Sequence, residues 1–463
     1  MSETKFLEVL DKAHTGPVCK VKDWEARIVP LEIKRILKEH GLTGVCAPEN
    51  PVNTDDGLVD DFWEAGFELA LSTGMLCLAT ERIIKFTEEE LKEALRNRPS
   101  RLTLGSGSDR VVIEPRKPED KKPPITTMTP LGITFSEDLI IPVCQAIAQY
   151  RVVDIVISPC LLTFHGRICR GGTPYETLWG KYEGLLVREA TRRAGRPGMP
   201  AWGVESSPTE YGYLGGYGAP GSFDPSWAIA IALLPSPLKT DYSLLHKVAH
   251  AINWGAPIES GHWTMIGGYE GPPEGAAVGA LAAHVLQCAV MQPTVIQSDI
   301  LDVRYFGNCG REAIWANSIT VQARSMKTNT LPFGVTSQVS GPCTDMLLYE
   351  TACISVAEVS SGICMVMGTR PTGCRFPDYA SGLENRFCAE VVKASAGLRR
   401  GEACELVKAL LPRYEDRLRR PPKGLSFPQC TDLKTLQPTP EWQAIYEKVW
   451  KELENLGLQK PWK

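Results

Sequence analysis

The chain has 463 residues, 43% hydrophobic and 22% charged, proportions of a globular protein that exclude collagen-like order and extensive disorder. Lys and Arg number 50 against 54 Asp and Glu, and the net charge of −4 gives no electrostatic basis for a nucleic-acid or anionic-membrane partner. The 15 cysteines lie far apart with no Cys-x-x-Cys pair, so neither a disulfide framework nor a zinc ribbon is indicated. Thiols on that scale, and an N-terminus without a signal-like apolar run, lead us to expect a cytoplasmic protein. The stretch from Ala276 to Met291 is broken by His284 and Gln287 and falls short of the ~20 residues that span a bilayer. It reads as a buried helix.

In chain order, residues 1–122 read as an N-terminal helical extension, with helices expected from Trp24 to His40 and from Asp60 to Thr73, and a capping box at Thr87-x-x-Glu90. The charged, proline-bearing run from Arg116 to Pro124 marks an exposed connection. From 123 to 400, short apolar runs alternate with helix-length amphipathic segments, the pattern of βα units on a parallel sheet. Strands are expected near residues 125–129, 152–158, 200–205, 228–234, 258–267, 294–305, 333–339 and 363–368. Helices are expected after most of them, the third strand being followed by a Gly/Tyr-rich loop from Gly212 to Ser222. Eight such units predict an α/β fold, a (β/α)8 TIM barrel, with further C-terminal helices in 401–463 packed outside it.

Some residues stand out for their chemistry. Glu205 follows Trp202 by three positions near a predicted strand end, and barrel active sites gather at the C-terminal mouth. Trp202, Tyr211 and Tyr213 make an aromatic stretch suited to a planar ring or, through cation–π attraction, to an ammonium group. Gly105-Ser-Gly-Ser-Asp109 lacks the sequence context of a phosphate-binding loop.

Six motifs in register carry a wider likeness: Gly195-Arg-Pro-Gly-Met199, Ala201-Trp-Gly-Val-Glu-Ser-Ser207, Gly267-Gly-Tyr269, Ser340-Gly-Pro-Cys-Thr344, Phe427-Pro-Gln-Cys-Thr-Asp-Leu-Lys-Thr435 and Leu453-Glu-Asn-Leu-Gly-Leu458. Together they resemble the monomethylamine:corrinoid methyltransferase family. The resemblance implies a barrel enzyme that hands a methyl group to the corrinoid (cobalamin) of a separate corrinoid protein, with homo-oligomerisation open. The family's methylamine enzymes carry pyrrolysine, an electrophilic residue, closely after Gly-Arg-Pro-Gly-Met, where this chain has Trp202. The Glu259-x14-Glu274 spacing also resembles part of a zinc motif of aryl methyl ether O-demethylases, whose later histidine position is Val295 here. These likenesses imply O-demethylation of a methoxylated aromatic compound, with Glu205, Glu259 and Glu274 catalytic, Trp202, Tyr211 and Tyr213 holding the ring, and zinc on Glu259, Glu274 and His262. The alternatives are methyl transfer from a methylated amine or betaine, and a non-catalytic scaffold paralogue.

Overall fold

Strands buried on both faces read as unbroken apolar runs, and those runs close into a parallel barrel. The computed structural model describes residues 2–128, 130–203 and 206–461. Among them, nine strand segments form the main sheet, all paired in parallel. Two of the nine, Ala228–Ala230 and Leu233–Leu234, are parts of one extended run, so the staves number eight. We label them β1 (Ile125–Met128), β2 (Ile155–Ile157), β3 (Ala201–Gly203), β4 (the two parts just named), β5 (Glu259–Ile266), β6 (Val295–Asp302), β7 (Pro332–Val335) and β8 (Met365–Gly368). The first part of β4 pairs with β3 and the second with β5, a bridge from Ala230 to Ile258 joining the two. At the other seam β8 pairs with β1, Met365 opposite Ile125, and the barrel is closed.

Each stave is followed by a helix: α1 (Ile140–Ala148), α2 (Pro174–Arg193), α3 (Glu210–Gly216), α4 (Tyr242–Trp254), α5 (Pro273–Val290), α6 (Arg311–Lys327), α7 (Asp345–Ser360) and α8 (Gly382–Ala394). The glycine-rich segment after β3 owes its composition to a helix crossing. A Cβ on Gly180 of α2 would lie 1.9 Å from the Gly212 carbonyl oxygen of α3, so only glycine admits this approach. Helix α5 is buried from Glu274 to Val290. Among the described residues no helix is long and apolar enough to cross a membrane.

Residues 1–122 are not helical throughout. Met75–Cys77 and Arg82–Ile84 form a hairpin, and Leu102–Leu104 pairs with Val111–Ile113 in another. Strands of three residues are too short to show alternation in a sequence. The second hairpin is a plug: Leu104, Val111 and Ile113 pack with Trp202 and Phe333 in the barrel interior. Its turn is held beneath the staves, the Gly105 and Ser106 N–H groups donating to the carbonyls of Ser226 and Gly198. Gly105 has a φ of +74°, and a Cβ there would lie 2.5 Å from the Gly198 oxygen, which requires glycine.

The arginine of the Gly-Arg-Pro-Gly-Met motif fastens this plug. Arg196 Nε donates to Asp109 Oδ1 at 2.8 Å, and Nη1 donates to the Val153 carbonyl at 2.6 Å. Both side chains are buried, whereas the second cation on Asp109, Arg151, is 67% exposed. Removing one partner of a buried pair strands the other charge and typically costs about 3–5 kcal/mol, while an exposed pair contributes about 1 kcal/mol or less. Asp109→Ala is therefore expected to lower stability by about 3 kcal/mol in urea unfolding, and Arg151→Ala by less than about 1 kcal/mol. Equal effects of the two substitutions would show that Arg196 does not depend on Asp109.

Candidate active site

Successive side chains of a strand point to opposite faces, and on β5 this sorts the sequence-level candidates. Ser260 donates to Gln287 and Thr264 to the Ala276 carbonyl, both on α5, so the even-numbered residues face the helices. His262 shares that outer face, where its Nε2 accepts the Leu238 N–H at 3.2 Å and burial pushes its pKa down to about 3. Glu259, Gly261 and Trp263 face inwards. Glu259 and Trp263 line a cavity at the C-terminal mouth of the barrel with about 410 Å³ of empty space, part of it open to solvent. Ile231 and Leu233 of β4, Val335 of β7 and Met367 of β8 supply its apolar wall.

Glu259 is buried, and its carboxyl is held from below by Trp202 of β3, whose indole Nε1 donates to Oε2 at 2.7 Å. Trp202 is sealed in the barrel interior, its ring edge-on to Phe333 of β7 at 5.2 Å between centroids. Burial pushes the Glu259 pKa up to about 8; the indole N–H opposes the shift, and the Asp299 carboxylate adds to it. Gly261 leaves room above. A Cβ there would lie 2.6 Å from Gln297 Oε1 and 2.9 Å from Glu259 Oε1, so these two acceptor oxygens converge on one point. Gln297 Nε2 donates to Asp299 at 3.2 Å, while its Oε1 is buried with no partner among the described residues.

Behind this wall lies a second group of charges. Asp299 of β6 accepts the Val335 N–H at 2.8 Å and lies 3.7 Å from Arg324 of α6. Glu358 of α7 packs on Gly334, where a Cβ would stand 2.5 Å from its Oε2. Burial raises both carboxyls and Arg324 opposes the rise. Above the cavity, Arg370 follows β8. Its guanidinium stacks 5.0 Å from the Trp263 ring, and one Nη donates to Ser337 at 2.8 Å.

The proposed metal set of Glu259, Glu274 and His262 is not brought together. The odd offset from 259 to 262 crosses the sheet. Glu274, in the first turn of α5, instead accepts the Cys46 N–H at 3.0 Å against the N-terminal extension. Among the described residues, no three His, Cys, Asp or Glu side chains are grouped to hold a metal ion. The aromatic set also separates. Tyr213 is buried outside the barrel, stacked on Tyr217 at 5.8 Å, and Tyr211 is 46% exposed. Glu205 lies outside the described residues. Sequence reasoning missed Trp263, Gln297 and Arg370; a signal for the first was available, because four residues on from Glu259 is the same face of a strand.

The family model described as monomethylamine methyltransferase MtmB matches residues 4–458. Monomethylamine methyltransferase MtmB of Methanosarcina mazei is 30% identical over 450 residues, 97% of each chain. MtmB3 of Methanosarcina barkeri is 29% identical over 455 residues, again 97% of each. The crystal structure of the Methanosarcina barkeri enzyme covers 99% of this chain, and this chain 100% of it, with a TM-score of 0.95 at 28% identity. A hydroxylamine complex of MtmB aligns equally well, with a TM-score of 0.95.

These relatives are named for monomethylamine, which overturns the expectation of a methoxylated aromatic donor and of O-demethylation. The geometry supplies a reason: the three aromatic residues expected to form a slot for a flat ring lie in the barrel floor, on its outside and at the surface. The chain belongs to the monomethylamine methyltransferase MtmB family.

Proposed function

We propose that the protein takes a methyl group from a methylated amine and delivers it to the corrinoid of a partner protein. The observation that carries this reading is the pair of acceptor oxygens, Glu259 Oε1 and Gln297 Oε1, at the floor of the barrel-mouth cavity in a chain of this family. An ammonium N–H matches both acceptors, and its charge matches an ionised Glu259.

A Co(I) corrinoid brought by the partner supplies the electron pair that takes the methyl. The chain's own residues prepare the nitrogen. Glu259 holds it as an ammonium ion, so that when the C–N bond breaks and nitrogen keeps the bonding pair, the leaving group is a neutral amine. Leu233, Ile231, Val335 and Met367 exclude water and turn the methyl group toward the open side. Indole is no electrophile, so Trp202 acts by orienting Glu259 and binds no substrate covalently. The loops after β2 and β6 and the end of β4 expose Ile168, Phe306 and Leu233, apolar surface that suits a docking partner.

In single turnover with a cob(I)alamin-loaded partner protein and a panel of methylated amines, we expect formation of the methylated corrinoid to be visible by absorbance. Glu259→Gln should slow it by about 10²-fold or more, the scale lost with one charge-stabilising group. Transfer at undiminished rate in that variant, or from no amine at all, would refute the proposal.

Proton linkage gives a second expectation. Below about pH 8 Glu259 is protonated, and a cation favours its ionised form. Affinity for methylammonium should therefore rise about tenfold per pH unit up to about pH 8 and then level, with one proton released on binding at pH 7. Trp202→Phe removes the donor that favours the carboxylate, so the levelling point should move to higher pH. Calorimetry in buffers of different ionisation enthalpy measures both; a flat profile would show that Glu259 does not meet the cation.

A further inference from the structure

The cavity joins an acid at its floor to a cation at its rim, and the methyl-transfer reading uses only the acid. Glu259 and Gln297 form an acidic, acceptor-rich floor. Arg370 lines the rim of the same cavity; its charge favours the ionised form of Asp299 from a distance, but no carboxylate among the described residues forms a direct ion pair with it. Its guanidinium is held in place by the stack on Trp263 and the bond to Ser337, and its backbone N–H by Gln338. Nε is buried without a partner among the described residues, so a donor of this fixed guanidinium is unused. Carboxylates are the usual occupants of such a fork.

The size of the cavity limits the occupant. Glu259 Oε1 lies beside Gly261 and the Arg370 guanidinium against the Trp263 ring, and both line one space of about 410 Å³. A molecule with an ammonium and a carboxylate a few bonds apart meets both ends with contact distances of ~3 Å at each. Methylammonium meets only the floor.

We infer that the methyl donor is a short N-methylated amino acid, its ammonium on Glu259 and Gln297 and its carboxylate on Arg370. This rests on the methyl-transfer reading and narrows its substrate class. In the reaction the methyl–nitrogen bond breaks, nitrogen keeps the pair and leaves as the demethylated amino acid, and the partner's Co(I) provides the electrons for the new bond.

The test compares N-methylglycine with N-methylglycinamide, which has the same methylated amine and no carboxylate, by calorimetry on the full chain at pH 7, where both amines are mostly protonated. The acid should bind at least about tenfold more tightly. Arg370→Gln should abolish that preference while N-methylglycinamide affinity stays within about twofold, which also shows that the variant is folded; Arg370→Lys should restore part of it. Equal affinities in the native chain, or a preference that survives Arg370→Gln, would overturn the inference. Transfer from methylammonium without any carboxylate preference overturns this inference alone. A carboxylate preference lost in Arg370→Gln, with no transfer from either ligand to Co(I), supports the binding site and refutes the methyl-transfer reading.

Discussion

One hydrogen bond organises the interior of this barrel, from the indole of Trp202 on β3 to the carboxyl of Glu259 on β5. A carboxylate withdrawn from water loses several kcal/mol of solvation, and a hydrogen bond to a charged group returns about 1.5–3 kcal/mol. The bond is too weak to cancel the burial, and the Glu259 pKa settles at about 8. The same indole fills the barrel floor against Phe333, so one residue sets the depth of the cavity and the orientation of its acid.

The rest of the fold keeps that arrangement dry and open at one end only. The plug hairpin closes the N-terminal end of the staves, and Arg196 ties it to the turn before β2 through the Val153 carbonyl. On the flank, Asp299 orients the Gln297 amide while Arg324 compensates its charge. Gly261 and Gly334 matter for what they lack: a methyl group at either would intrude on Gln297 and Glu259, or on Glu358.

The eight staves were legible because a parallel strand buried on both faces is a compact apolar run, and because most are followed by a helix-length segment, several with a cap of their own, as at Asp241, Thr344 and Ser381. The two N-terminal hairpins escaped because three-residue strands carry no period. Glu259 was singled out by spacing, and the same spacing misled for its companions. Fifteen residues on, the chain has left the strand, turned and begun α5, so Glu274 faces the N-terminal extension. His262 failed on parity alone. Tyr213 followed Trp202 in sequence but lies beyond the strand end, on a helix outside the barrel. Arg370 sits two residues past the end of β8, the place from which barrel sites draw their polar groups, but no motif pointed to it.

The raised pKa of Glu259 has a consequence for how the site discriminates. At pH 7 the carboxyl is about one pH unit below the point of half-ionisation. An empty cavity therefore carries little negative charge at its floor, yet ionising the group when a cation arrives costs only on the order of 1 kcal/mol. A single charge-assisted hydrogen bond covers that cost. A neutral ligand of the same size gains no ion pair and leaves the carboxyl protonated. The Trp202 N–H keeps that ionisation within reach, because without it burial would hold the carboxyl protonated to a still higher pH. The site thus answers to ammonium ions because its acid is buried nearly, but not fully, beyond ionisation.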